Sequence, residues 1–244
     1  MAHWLAPLIP IAWEESAGRH IAEAVFGATH TTSGQAKRIC TTAAGTAALG
    51  RLTDRLSRVA DSPYTFRIQV TPHPAVNALA LPGGYAVIFS GLLDFAETPD
   101  EVAGVLAHEM AHVIHRHATT AVLRELGYAL LFDLLSGGMA GGVVSVGHEL
   151  LSLSYSRDAE ADADATGLKL LERAGIGAHG FVAFWDRMRI REREGKDSAI
   201  KPPALLSTHL DSEARAALAR SAPPTGTPAL TAEEWRALKT ICAG

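Results

Sequence analysis

Thr98-Pro-Asp-Glu-Val-Ala-Gly-Val-Leu-Ala-His-Glu-Met-Ala-His-Val-Ile-His-Arg-His117 is the stretch on which the reading of this chain turns. Its opening is a strong helix start: the Thr98 hydroxyl can cap the first turn, Pro99 suits the first helical position, and Glu101 can close a capping box. Apolar Val102, Val105 and Leu106 follow at helical spacing, so the pattern predicts a long helix from Pro99 past His117. His108 and His112 are four residues apart, which places them on one face of that helix with about 6 Å of axial rise between them. Two imidazoles so placed can share one ion, and Glu109 projects beside them, where a carboxylate can take a proton from water on the metal. As plain core residues, both histidines and the glutamate would need other partners, which is costly on a mostly apolar helix.

Tetrahedral catalytic zinc takes three protein ligands and keeps a fourth position for water or substrate, so one more ligand must come from elsewhere. A third histidine six residues beyond His112 would fall at Ala118, which excludes that arrangement. The better source is Ser156-Arg-Asp-Ala-Glu-Ala-Asp-Ala-Asp164, within a helix predicted to begin near Ser154, run to Ala174 and be stopped by Gly175 and Gly177. Glu160 and Asp164 share a face of it. Glu160 is assigned as the third ligand and Asp164 as the carboxylate behind a ligand histidine, a common partner of zinc imidazoles. Asp158 and Asp162 read as a solvated face.

Outward from these segments, apolar residues recur at helical spacing over residues 14–26 and 36–60, predicting two N-terminal helices. Phe66, Ile68 and Val70 alternate with Arg67 and Gln69, as in a half-buried strand. Two short apolar runs around Pro82-Gly83-Gly84 read as a β-hairpin. Further helices are expected over residues 181–194, 212–221 and 232–241. The sum is a mainly α chain with a small β-sheet, an α+β class, organised as an apolar arm over residues 1–13 and a single domain over 14–244. That arm lacks a basic start and is broken by Pro7 and Pro10, so it does not read as a signal peptide. It is either a membrane-proximal segment or an arm packed on the domain.

Residues 128–153 are apolar enough to raise a membrane span, but Asp133, His148, Glu149 and five glycines interrupt them, and a buried helical connection is the better reading. With 48% apolar and 20% charged residues the chain can bury a core, and a formal charge of −4 offers no basic field to nucleic acid. The densest basic run, Arg187 to Lys196, is interleaved with Glu192 and Glu194 and reads as a helix face. Cys40 and Cys242 are the only cysteines, which excludes a cysteine zinc site; the sequence leaves open whether they pair.

In these motifs the chain resembles the HtpX-like and CaaX prenyl protease type I group of zinc metallopeptidases, most of all its compact bacterial members similar to BepA. Asn77-Ala-Leu-Ala-Leu-Pro-Gly-Gly84 is similar to the group's strand before the active-site helix, His108 to His117 to its zinc helix, and Ser156 to Gly167 to its third-ligand helix. Ser207-Thr-His209 followed by Arg215 resembles its C-terminal histidine and arginine motif. The resemblance implies a compact gluzincin domain with one zinc ion per chain. It also implies a sheet whose edge, at Asn77, Ala78, Leu79 and Ala80, receives an extended or unfolded polypeptide. A role in protein quality control at the bacterial cell envelope, periplasmic or membrane-associated, comes with it. Two departures stand out: no strong membrane span, and no helical-repeat module after the peptidase motifs.

The expected chemistry is hydrolysis of peptide bonds, with Glu109 and His209 as catalytic candidates. Glu109 takes a proton from the attacking water and later gives one to the leaving amine. His209 either stabilises the developing oxyanion or fills the fourth metal position and silences the site, with Arg215 bracing its loop or the site carboxylates. A peptide-binding, chaperone-like domain that holds zinc without cutting is the opposing reading. The presence of Glu109 beside the ligands argues against it.

Overall fold

The computed structural model describes residues 6–23, 39–124, 155–196 and 226–243. The apolar stretch over 128–153, the expected helix over 212–221, and His209 and Arg215 lie outside the described residues. Among those described, α1 (Ile11–Ile21) and α2 (Ala43–Ser57) come first, α2 beginning later than the apolar period alone suggests. The sheet has three strands, β1 (Arg67–Thr71), β2 (Ala78–Ala80) and β3 (Tyr85–Phe89), in the order β1-β3-β2. β2 and β3 form the expected antiparallel hairpin, with Leu79 opposite Val87. β1 runs parallel to β3, with Val70 opposite Ile88, and every residue of the central β3 is buried.

The hairpin turn works because it has no side chains to clear. Gly83 sits at φ +70°, and a Cβ there would lie 2.3 Å from the Glu15 backbone, so α1 packs directly across the turn.

A short helix, α3 (Ser90–Phe95), leads into the central helix, α4 (Pro99–Ile114). Thr98 caps α4 by accepting from the Glu101 backbone N–H at 3.4 Å, as its sequence predicts. The expected single helix past His117 is corrected here. α4 stops at Ile114, the chain turns through His115 and Arg116, and a new helical segment runs over residues 117–124. Arg116 carries φ +57° in that turn, a conformation usually left to glycine or asparagine, which is why the sequence shows no break.

Three helices complete the described chain: α5 (Arg157–Arg173), α6 (His179–Lys196) and α7 (Ala232–Lys239). Ser156 caps α5 through the Ala159 N–H, and Thr231 with Glu234 forms a full capping box on α7. Leu52, Leu56, Leu92, Leu106, Met110, Phe181 and Phe184 form the heart of the core. α4 is buried continuously from Asp100 to Val113 because α5 and α6 pack on it. The fold is therefore α+β, mainly helical, with the three-stranded sheet packed beside the central helix α4. Cys40 and Cys242 form a disulfide that ties the chain before α2 to the chain after α7. No helix among the described residues is long and apolar enough to cross a membrane.

Candidate metal centre

α4 presents His108 and His112 one turn apart, and α5 crosses it so that Glu160 reaches both. Gly167, on the face of α5 that carries Glu160 and Asp164, sets how near the helices come. A Cβ there would meet the His108 backbone nitrogen at 3.2 Å, tighter than ordinary van der Waals contact, so a larger residue needs the backbone of α4 to give by a few tenths of an ångström. The result is a triangle of buried donors: His108 Nε2 and His112 Nε2 are 3.0 Å apart, and the two Glu160 oxygens lie 3.4 Å from one or the other. His108 and His112 have no solvent exposure and Glu160 has 2%.

This triangle fits a zinc ion. Metal bonds of about 2.0–2.1 Å in a tetrahedron place neighbouring donors about 3.3–3.4 Å apart. The donor set, two imidazoles and a carboxylate, is one that zinc prefers, and no other group of three or more potential ligands is found among the described residues. Asp164 Oδ1 lies 2.8 Å from His108 Nδ1. A proton on Nδ1, beside that carboxylate, would leave the lone pair of Nε2 facing the triangle.

Glu109, at 1% exposure, is buried on α4 next to His108. Its carboxylate acts on Tyr155, whose ring stacks on His112 at 4.0 Å between centroids and 20° between planes. Burial, then the Glu109 and Glu160 charges, hold the Tyr155 phenol well above its ordinary value, so it stays protonated at neutral pH. Phe181 and Trp185 approach the His108 ring at 6.3 and 6.1 Å between centroids.

Sequence reasoning missed Tyr155, which ends an apolar run and shows no pattern of its own. His117 is a second omission: its sequence position suggests the outer turn of a continuous helix, away from the metal. The structure corrects this by turning it inward, with Nδ1 at 3.0 Å from His112 Nδ1. Burial, then the neighbouring His115, lowers its pKa to about 4, so it is a neutral imidazole able to accept a hydrogen bond. His115 is exposed and sits 2.7 Å from the Thr166 hydroxyl. Asp158 and Asp162 are exposed, as expected of a solvated face.

Asn77 and β2 lie beside α4 at the sheet edge. Ala78, Leu79 and Ala80 are all buried, and among the described residues β2 pairs with β3 alone. Asn77 is buried and accepts from the Ala78 N–H through its own side chain at 3.0 Å, which fixes the start of the strand.

Two histidines four apart on one helix, a glutamate next to the first, and a carboxylate from a later helix define the zincin class of metallopeptidase. Residues 43–222 match Peptidase family M48, and the chain belongs to that family. It is similar to the mitochondrial metalloendopeptidase OMA1 of Schizosaccharomyces pombe, at 31% identity over 160 residues, covering 63% of this chain and 45% of the relative. A putative beta-barrel assembly-enhancing protease of Vibrio cholerae is 33% identical over 147 residues, 55% of this chain and 30% of the relative. The beta-barrel assembly-enhancing protease of Escherichia coli is 28% identical over 187 residues, 68% of this chain and 36% of the relative. The chain thus spans less than half the length of the relatives it matches.

Proposed function

We propose that this chain is a zinc-dependent endopeptidase that hydrolyses peptide bonds of unfolded or misassembled proteins at a bacterial cell envelope. The observation that carries the reading is the buried cluster of His108, His112 and Glu160, in which the two imidazole Nε2 atoms are 3.0 Å apart and each lies 3.4 Å from one of the Glu160 oxygens, a convergence that suits one ion. When bound, zinc supplies Lewis acidity that acidifies a water and polarises the scissile carbonyl. In this reading Asp164, 2.8 Å from His108 Nδ1, holds the imidazole proton on that nitrogen and so keeps Nε2 for the metal. Glu109 accepts a proton at its carboxylate and passes one to the leaving amine.

Extended peptide adds to the outer edge of β2, where Asn77 to Ala80 offer backbone hydrogen bonds with little demand on sequence, a mode suited to unfolded substrates. Residues 14–244 act as one domain in this reading; the disulfide and the packing of α7 on α2 favour it. A disulfide also suits an oxidising compartment, in keeping with a periplasmic or membrane-associated location. The name of the V. cholerae and E. coli relatives, beta-barrel assembly-enhancing protease, points the same way.

Casein cleavage by the zinc-loaded chain, beside a Glu109→Gln variant of equal metal content, tests the reading. Loss of about a hundredfold or more in the variant supports Glu109 as base. If neither protein cuts while both hold zinc, the reading gives way to a latent peptide-binding domain. His209→Ala separates the two roles of that residue: a kcat below that of an active wild type marks an oxyanion donor, and activity gained over a slow or silent wild type marks a silencing fourth ligand with Arg215 bracing its loop.

A further inference from the structure

Glu14 belongs to α1, yet it is buried to 1% exposure and its carboxylate ends on the turn that follows the metal helix. Arg116 Nε donates to both Glu14 oxygens at 3.0 Å, and Nη2 donates to Oε2 at 2.6 Å. The Tyr64 and Thr119 hydroxyls donate to the same carboxylate. Arg116 Nη2 also donates to the Ile9 carbonyl at 2.5 Å, so α1 and the chain before it grip this guanidinium together.

What the grip holds is unusual backbone. Arg116 is the one non-glycine residue with positive φ among those described, and an L side chain there is sterically disfavoured. The turn has a consequence at the metal centre. Had α4 continued, His117 would lie five residues past His112, about 140° around the helix and about 7.5 Å along it. Because the chain turns at Arg116, His117 instead meets His112 Nδ1 to Nδ1 at 3.0 Å. Of those two nitrogens one donates and one accepts, and a proton on His112 Nδ1 leaves its Nε2 lone pair toward Glu160 and His108.

We propose that Glu14 is a positioning residue of the metal centre: through Arg116 it fixes the left-handed turn that holds His117 against His112, and so aims His112 at the metal. This rests on the reading of His108, His112 and Glu160 as ligands. A carboxylate serving only to anchor α1 would change stability and leave the metal affinity of the folded chain alone.

The test is titration of the metal-free full chain with Co2+, followed by visible absorption, with zinc affinity measured by competition against a chromophoric chelator. Wild type, Glu14→Gln, His117→Ala and the double variant are compared. His117→Ala weakens metal binding about 10- to 100-fold. Glu14→Gln weakens it by nearly as much, its cobalt spectrum follows that of His117→Ala, and the double variant binds no more weakly than His117→Ala alone. Wild-type affinity and spectrum in Glu14→Gln overturn the proposal, as does an equal loss from Glu14→Gln in both backgrounds. Should Glu14→Gln not fold, Arg116→Lys, which keeps the charge but not the two-pronged grip, takes its place in the same cycle. A wild-type chain that binds no cobalt overturns the ligand assignment itself, a failure visible before any variant is made.

Discussion

Glu101 and Glu160 are equally buried, at 2% exposure each, and both bear on α4, yet their surroundings are opposite in kind. Glu101 meets Arg187 through both oxygens, at 2.8 and 2.5 Å, and also accepts from the Glu97 N–H at 2.9 Å. Its charge is answered by a cation that belongs to the chain. Glu160 meets two imidazole nitrogens at 3.4 Å, His108 Nε2 and His112 Nε2, which themselves lie 3.0 Å from each other. Burial of a carboxylate therefore does not mark a site. What distinguishes the second region is that its donors converge on one another, an arrangement that an added cation completes.

The comparison can be broken most directly by asking which carboxylate responds to metal. Zinc at a thousand times its Kd stabilises the wild-type chain by about 4 kcal/mol, and Glu160→Gln removes most of that gain, as read by calorimetric melting with and without zinc. An undiminished zinc response in the variant would remove Glu160 from the site. Glu101→Gln, by contrast, breaks a buried ion pair and lowers unfolding free energy by about 3 kcal/mol in a denaturant titration, with zinc affinity of the folded chain unchanged. A fall in zinc affinity there would mean that the two regions are not separate.

The smallest effect sharpens the picture. Asp164→Asn leaves the size of the side chain but weakens its hold on His108, and zinc affinity falls about 10- to 100-fold, or about 1.4–2.7 kcal/mol, in the chelator competition. Stability of the metal-free chain changes much less. A drop in stability matching the drop in affinity would make Asp164 a structural partner of α4, closer in kind to Arg187.

Much of this site is legible in local patterns. The Thr98 cap, the spacing of His108 from His112 and of Glu160 from Asp164, and the hairpin at Pro82-Gly83-Gly84 all follow from rules that act within a few residues, whereas the later helix opens at its Ser156 cap rather than near Ser154. His117 was not legible, because its orientation depends on a turn at Arg116 that no glycine announces. Tyr155 was not either: stacking on His112 is a contact between segments, and neither segment encodes it alone. The parallel pairing of β1 with β3 is of the same kind, since residues 67–71 show only that they form a strand.

The sequence by itself determined which side chains each helix and strand presents together, because periodicity and capping are set by backbone geometry over one or two turns. Tertiary structure alone decided which presented faces meet. α5 comes close enough for Glu160 to reach both histidines because Gly167 leaves room at His108. The buried Glu14 carboxylate gathers Tyr64 from one stretch of chain and Arg116 and Thr119 from another. Cys40 finds Cys242 across 202 residues because α7 packs on α2. Each of these meetings depends on packing at sub-ångström tolerance between elements distant in sequence, and no local pattern carries that information.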